Sequence, residues 1–434
     1  MTGIPEHEVD VLLIGGGVAA AGAAEELRRK GFSGSIALAT RESEAPYHRF
    51  YLTKDYLRGT VAADDLTVHS PEWWQHNDVQ LWLRSPVQSL DPDAKTARVG
   101  RRTVRWDKAL LATGANVRLL DCPGAGLAGV HYLRTTWNAD ELRKDLQTAN
   151  ELVVIGGSFV AAETAASAAA SGVRTTMVFP EPVPLARSLG APVGRIVEAE
   201  LTRLGVVVYS GVTVESLRGD DRVSGVVLAG GAELAADTVV VGIGARPEVT
   251  LAKRCGLGLG ETGGVLCDST LRTSDENIWA AGDVCEFDSI RHGRSVRIEH
   301  DRVASAQGRH AARAMLGDDV SFTTYPYFWT TIGADLHIDV MAIEAPGHEA
   351  VEWELPVRPD RLAMHAAAEY PGPEPAVFYY RSNGETTGYA MVNGELSLPA
   401  LHGILTDGHR EIGRPQAAFG PWLVDRRGIP RIGR

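Results

Sequence analysis

Apolar residues gather in short runs that stop at glycine, and between these runs they return at helical spacing, so the chain reads as alternating strands and helices. The run Val11–Ile14 predicts a buried strand that ends at Gly15 and Gly17. A helix follows from Ala19 to Lys30, then a strand from Ser35 to Ala39 that leads to Glu42. The same pattern returns at Leu152–Ile155, with Gly156, Ser158 and Ala161, an Ala-rich helix to about Ser171 and a strand from Thr175 to Phe179. Further strands are expected at Val79–Leu83, Thr96–Val99, Val104–Leu111, Val207–Leu217, Val223–Leu228 and from Ala236 to Val241. A strand from Ile278 to Ala281 stops at Gly282-Asp283, where a helix is expected to follow. A helix opens at Glu299–Arg302 and ends at Gly317. Beyond Tyr325 the period shortens to strands at His337–Ile343, Val351–Leu355, Ala376–Arg381 and Thr386–Met391, closed by a helix over Leu398–Leu405.

The opening unit has a chemical reading. Gly15 permits a tight turn, Gly17 lets backbone approach a ligand, and the small Ala20 lets helix and strand pack closely. The helix N-terminus presents unpaired N–H groups to a pyrophosphate, and Glu42 is placed to accept hydrogen bonds from a ribose. A second copy, with Gly156, Ser158 and Ala161, implies a second nucleotide. Ser158 and Ala161 stand where glycines would be ideal, but both are small. Glu181, after the second strand, is the nearest carboxylate for an adenosine ribose. The absence of cations over Thr175–Ala186 favours NADH over NADPH, although Arg174 and Arg187 flank that segment. Ala112-Thr113-Gly114 sits at a strand end where a cofactor passes, Gly244 lies in a Gly-rich return, and Asp283 is placed for a ribityl hydroxyl.

Composition narrows the field. The 434 residues are 44% hydrophobic and 23% charged, and length suggests about three domains. A net charge of −12 argues against nucleic acid as the main partner. The segment before the first apolar run carries Glu6, Glu8 and Asp10 and no Lys or Arg, unlike a secretory leader. No apolar stretch is long enough to span a membrane, so a cytoplasmic protein is expected. Cys122, Cys255, Cys267 and Cys285 form no close-spaced pair, which predicts neither a metal site nor a redox dithiol. The acidic chain ends in a basic tail, His409–Arg434, with six arginines against Glu411 and Asp425.

In this order the motifs resemble the two-dinucleotide-domain flavoproteins that include the ferredoxin and rubredoxin reductases of oxygenase systems and apoptosis-inducing factor. The resemblance is carried by Gly15–Ala20, Pro46-Tyr47, Arg49, Leu52-Thr53-Lys54, Ala112–Gly114, Gly156–Glu163, Gly242–Pro247, Arg272–Ser274, Gly282-Asp283, Glu299-His300, Gln307-Gly308 and Phe328-Trp329. It implies an α/β fold with two Rossmann-like, glutathione-reductase-like dinucleotide-binding domains and a C-terminal α+β domain. The FAD-binding domain would take residues 1–115 and 244–324, the NADH-binding domain 116–243 and the last domain 325–434. It further implies non-covalent FAD with Arg49 and Trp329 beside it, NADH as donor, and Lys54 held by Glu163 as the cation that steadies negative charge on the reduced flavin. A unit charge about 4 Å away is worth roughly 4 kcal/mol at an effective dielectric near 20.

With no dithiol beside the flavin, electrons are expected to leave directly to a ferredoxin-type iron–sulfur protein, docked on the arginine-rich tail of a monomer or homodimer. Two alternatives stay open. One is a stand-alone NADH-dependent flavoenzyme acting on oxygen, a quinone or a small molecule, with Phe50, Tyr51 and Asp301 lining its pocket. The other is a redox-sensing protein resembling apoptosis-inducing factor. Arg49-Phe-Tyr-Leu-Thr-Lys54 and Asp301 depart from the family's usual residues, as do Ser158 and Ala161.

Overall fold

The computed structural model describes residues 7–342, 376–382 and 385–394. The expected strand at Val351–Leu355, the helix at Leu398–Leu405 and the basic tail lie outside them.

The opening strand, His7–Ile14, lies at the centre of a mixed sheet. It pairs in parallel with Ile36–Ala39 on one side and with Arg102–Leu111 on the other. Val79–Trp82 extends the first edge, and Thr96–Val99 and Val87–Asp91 add an antiparallel flank. The chain then leaves to build a second sheet, all parallel, in the order Val207–Ser210, Arg174–Phe179, Glu151–Ile155, Thr238–Val241, Val130–His131. It returns at Ile278–Ala280, which pairs with Arg102–Leu111 of the first sheet. The first unit is therefore assembled from two stretches of chain. Four antiparallel strands, Tyr327–Ile332, Leu336–Ala342, Glu385–Val392 and Ala376–Ser382, form the last sheet.

The central strands of both sheets are buried apolar runs, as Val11–Ile14 and Leu152–Ile155 show, because both faces are covered. On the first, the helix Val18–Arg29 packs against Asp301–Met315. At two points the contact has no room for a side chain: a Cβ on Gly308 would lie 1.9 Å from the Ala19 carbonyl oxygen, and one on Gly22 would lie 2.7 Å from that of Ser305. Gln307, on the same helix, accepts a hydrogen bond from the Gly282 N–H at 2.8 Å and so ties it to the strand end below.

Two expectations are corrected. No helix follows Asp283: the chain turns directly into the strand Cys285–Ser289, which pairs with Val265–Cys267 and Arg294–Arg297. Val207–Leu217 divides into Val207–Ser210 and Val214–Gly219 in different sheets, broken at Gly211 with φ +70°.

Candidate functional site

The strand ends of the first sheet open into a cleft of about 530 Å³. Gly15, Gly17, Glu42, Arg49, Thr113, Gly114, Glu163 and Asp283 all line it. Ala20 lies beneath, fully buried in the helix–strand packing. The glycines differ in what they require. At Gly15, φ is +130° and a Cβ would meet the Ala112 carbonyl oxygen at 2.1 Å, so the turn itself demands glycine. A Cβ on Gly17 would meet no protein atom within 4 Å, which leaves open space above the start of the helix.

A network of charges closes one side of the cleft. Arg49 spans Glu42 at 2.5 Å, the Tyr47 hydroxyl at 2.6 Å and the Arg134 carbonyl at 2.7 Å, and Tyr47 donates to Glu42 at 2.7 Å. Burial acts to raise the Glu42 pKa, but the charge and hydrogen bonds of Arg49 outweigh it and hold the carboxyl below its ordinary value. Arg134 reaches Asp283 at 3.4 Å. Its pKa is pushed down, first by burial and then by the neighbouring Arg49, despite the pull of Asp283 and Glu42. Two enclosed guanidinium groups beside a glycine turn and a helix N-terminus suit a diphosphate, which would relieve Arg134. Arg134 was not legible in the sequence: it stands alone in Leu133-Arg134-Thr135, outside both of the strand–glycine–helix units. Thr113 donates its hydroxyl to the Glu248 carbonyl at 2.7 Å and so sets the strand end rather than reaching inward.

At the other end of the cleft, the wall residue Glu163 meets Lys54 at 2.9 Å, with side chains only 8% and 4% exposed; Lys54 and Trp329 stand behind the wall and do not themselves line the cleft. Thr330 donates to the same carboxylate at 2.6 Å, as does Thr53. The ring of Trp329 lies 5.2 Å from the Lys54 ammonium, and Phe50 packs edge-on to Trp329. Phe50 and Asp301 line the cleft, and Asp301 faces His48 at 3.1 Å. Tyr51 does not line it: its ring is buried in the core beside Leu52 and Tyr56. His300 stacks on Phe328 at 4.0 Å, and burial pushes its pKa down to about 4 against the pull of Glu299.

The second glycine turn stands at the strand ends of the second sheet. Gly156 has φ +125°, and a Cβ there would lie 2.2 Å from the Gly242 carbonyl oxygen. Ser158 is more than a tolerated substitute. Its hydroxyl donates to that carbonyl at 2.7 Å and accepts from the Ala161 N–H at 3.3 Å, capping the helix Phe159–Ala170. Ala161 packs under Gly242, at 3.1 Å from where a Cβ would sit. The Glu181 carboxylate stands over Gly157, and Gly244, with φ +101°, lies two residues after Gly242 in the return. One helix thus serves both places: its N-terminus forms the second turn, and Val160 and Glu163 reach the wall of the first cleft.

The sequence profile of the pyridine nucleotide-disulphide oxidoreductases matches residues 9–308. The chain belongs to that family. It is 34% identical over 347 residues to the ferredoxin–NAD(+) reductase component of the biphenyl dioxygenase system of Paraburkholderia xenovorans, covering 79% of this chain and 84% of that one. It is 32% identical over 355 residues to a rubredoxin–NAD(+) reductase of Pseudomonas putida, covering 80% and 91%. Among solved structures, the reductase of a covalent putidaredoxin reductase–putidaredoxin complex superposes with a TM-score of 0.82 at 27% identity, over 93% of this chain and 94% of that one. Membership makes this an oxidoreductase of flavin and pyridine nucleotide with the α/β architecture described. Among the described residues, no helix is long and apolar enough to cross a membrane.

Proposed function

We propose that the protein takes electrons from NADH and passes them, through non-covalent FAD, to a ferredoxin-type iron–sulfur protein in the cytoplasm. The observation that carries this is the helix Phe159–Ala170, which joins a turn suited to one dinucleotide to the wall of a cleft suited to another. Names of the relatives, ferredoxin–NAD(+) and rubredoxin–NAD(+) reductase, support NADH as donor and a small redox protein as acceptor.

In this reading residues 1–115 and 244–324 hold FAD, 116–243 hold NADH and 325–434 cover the flavin. Bound FAD supplies the chemistry that accepts a hydride and releases electrons singly. The chain supplies position and field. Gly15, Gly17 and the helix above them cradle the diphosphate, with Arg49 and Arg134 as counter-charges. Thr113, Gly114 and Asp283 border its path, and Glu42 takes the ribose while Arg49 holds its carboxylate in place. Lys54, oriented by Glu163 and backed by Trp329, presents a cation enclosed from water where negative charge gathers. Gly156, Ser158, Ala161, Gly244 and Glu181 receive NADH.

The arginine-rich tail from His409 offers an acidic ferredoxin a complementary docking surface on a monomer or homodimer. Steady-state cytochrome reduction tests the assignment. Turnover that rises steeply with added ferredoxin supports it. Equally fast turnover without ferredoxin, on oxygen or a quinone, would overturn it in favour of a stand-alone flavoenzyme.

A further inference from the structure

We propose that Asp301 and His48 carry a proton out of the cleft, a product that neither the nucleotide nor the electron acceptor removes. This rests on the cleft being the FAD site of a reductase that feeds single-electron acceptors. NADH surrenders a hydride, which is two electrons and one proton, whereas an iron–sulfur protein takes electrons alone. The balance is NADH plus two oxidised acceptors giving NAD+, two reduced acceptors and H+. A proton must therefore leave an enclosed site once in every turnover.

Among the described residues six carboxylates line the cleft, and five of them face a donor that neither takes nor gives a proton near neutral pH. Glu42 pairs with Arg49, Asp283 with Arg134, Glu299 with Arg297 and Glu163 with Lys54, while Glu248 accepts from the Asn116 amide. Among these six, Asp301 alone faces an imidazole: His48 Nδ1 lies 3.1 Å from its Oδ2. An imidazole can accept a proton on one nitrogen and release one from the other, and it does so readily near neutral pH.

Local structure holds the pair across the wall. Asp301 is the first residue of the helix Asp301–Met315, whose N-terminus favours a charged carboxylate. The His48 N–H donates to the Leu66 carbonyl at 2.9 Å, and its ring stands 5.1 Å from that of the cleft-lining Phe50. His48 itself lies behind the lining with its side chain a third exposed, so the pair leads from the cleft to water. Neighbouring groups are engaged elsewhere. His300 is stacked on Phe328 and held neutral by burial, Arg302 lies over the Tyr327 ring, and His69, on the segment paired with the His48 loop, is turned to Glu25 at 4.0 Å. Asp301 takes the proton, Nδ1 receives it from the carboxyl, and Nε2 gives one to water.

Isotopic labelling tests this with a readout other than rate. The FAD-loaded full chain is reduced in ordinary water by NADH deuterated at both positions of the hydride-donating carbon, freed of nucleotide and aged for set intervals. Acetylpyridine adenine dinucleotide then takes the hydrogen back as hydride, and mass spectrometry of that product reports how much deuterium stayed in the cleft. The flavin spectrum of each variant reports that the cofactor is bound. His48→Ala and Asp301→Asn should keep the label at least about tenfold longer than wild type, the low end of what a positioned acid–base group contributes. Added imidazole should restore the loss in His48→Ala. Loss as fast in either variant as in wild type overturns the relay. So does retention in His48→Ala that imidazole does not shorten, because the defect would then be structural. A wild-type flavin that NADH fails to reduce overturns the reading beneath the proposal, whereas reduction followed by loss that ignores both variants overturns the relay alone.

Discussion

Lys54 and Glu163 stand 109 positions apart in sequence and meet at 2.9 Å in a pair almost closed to water, one from the loop after Arg49 and the other from the helix that begins at the second glycine turn. Neither can be moved without the other. The carboxylate is further held by Thr53 and Thr330, so the ammonium is fixed by three elements at once.

A cation so placed should matter to the reaction as well as to the fold. Lys54→Met removes it, and flavin reduction by NADH in a single turnover should slow by at least about tenfold, within the roughly 1–4 kcal/mol a nearby unit charge supplies between water and a half-buried site. An unchanged rate removes Lys54 from the mechanism. The substitution also strands Glu163. Pairing Lys54→Met with Glu163→Gln should restore thermal stability without restoring the rate.

The two opening glycines should separate when each is changed to alanine. In Gly15→Ala the Cβ meets the Ala112 carbonyl, so flavin-free protein should itself melt earlier. In Gly17→Ala the Cβ enters open space, so the flavin-free melting temperature should hold while FAD affinity falls. A Gly17→Ala protein that binds FAD normally shows that the diphosphate does not approach there.

Acid should destabilise the protein in a defined window. The folded-state pKa of His300 is lowered to about 4, below its ordinary 6.5, by burial, so the folded chain binds fewer protons than the unfolded one between these values. The stabilising contribution is complete above about pH 6.5 and is lost as pH falls toward 4, on the order of 1–3 kcal/mol. His292, likewise lowered to about 4 by burial, adds to the same limb. Chemical denaturation at pH 7 and pH 5 should show His300→Gln losing less stability between the two than wild type. Parallel losses would contradict this.

What could be read from sequence is what local chemistry dictates. A strand that must turn sharply under a helix needs glycine, so Gly15 and Gly156 announced both turns, and their geometry repeats closely: φ +130° and +125°, each with a carbonyl oxygen just over 2 Å from where a Cβ would sit. Elements set by distant pairing were less visible. Cys285–Ser289 is a strand because Val265–Cys267 lies alongside, a contact no local pattern around Asp283 reveals. Arg134 enters the cleft from the other sheet, and Tyr51 turns inward although it follows the cleft-lining Phe50. Ser158 looked like a weakened glycine but carries the helix cap.

The basic tail yields a partner test. Ending the chain before His409 removes six arginines and should slow ferredoxin-dependent cytochrome reduction at low salt, with the difference shrinking as salt screens the charges. Direct reduction of the flavin by NADH should be untouched. Equal rates at every ionic strength would leave docking to another surface.

The most direct measurement is an anaerobic absorbance titration of the FAD-loaded protein with NADH. One equivalent of NADH should bleach the visible flavin band, and adding oxidised ferredoxin should restore it as the iron–sulfur protein is reduced. Protein that stays colourless when offered FAD, or a bound flavin whose band persists after NADH is added, would contradict the account.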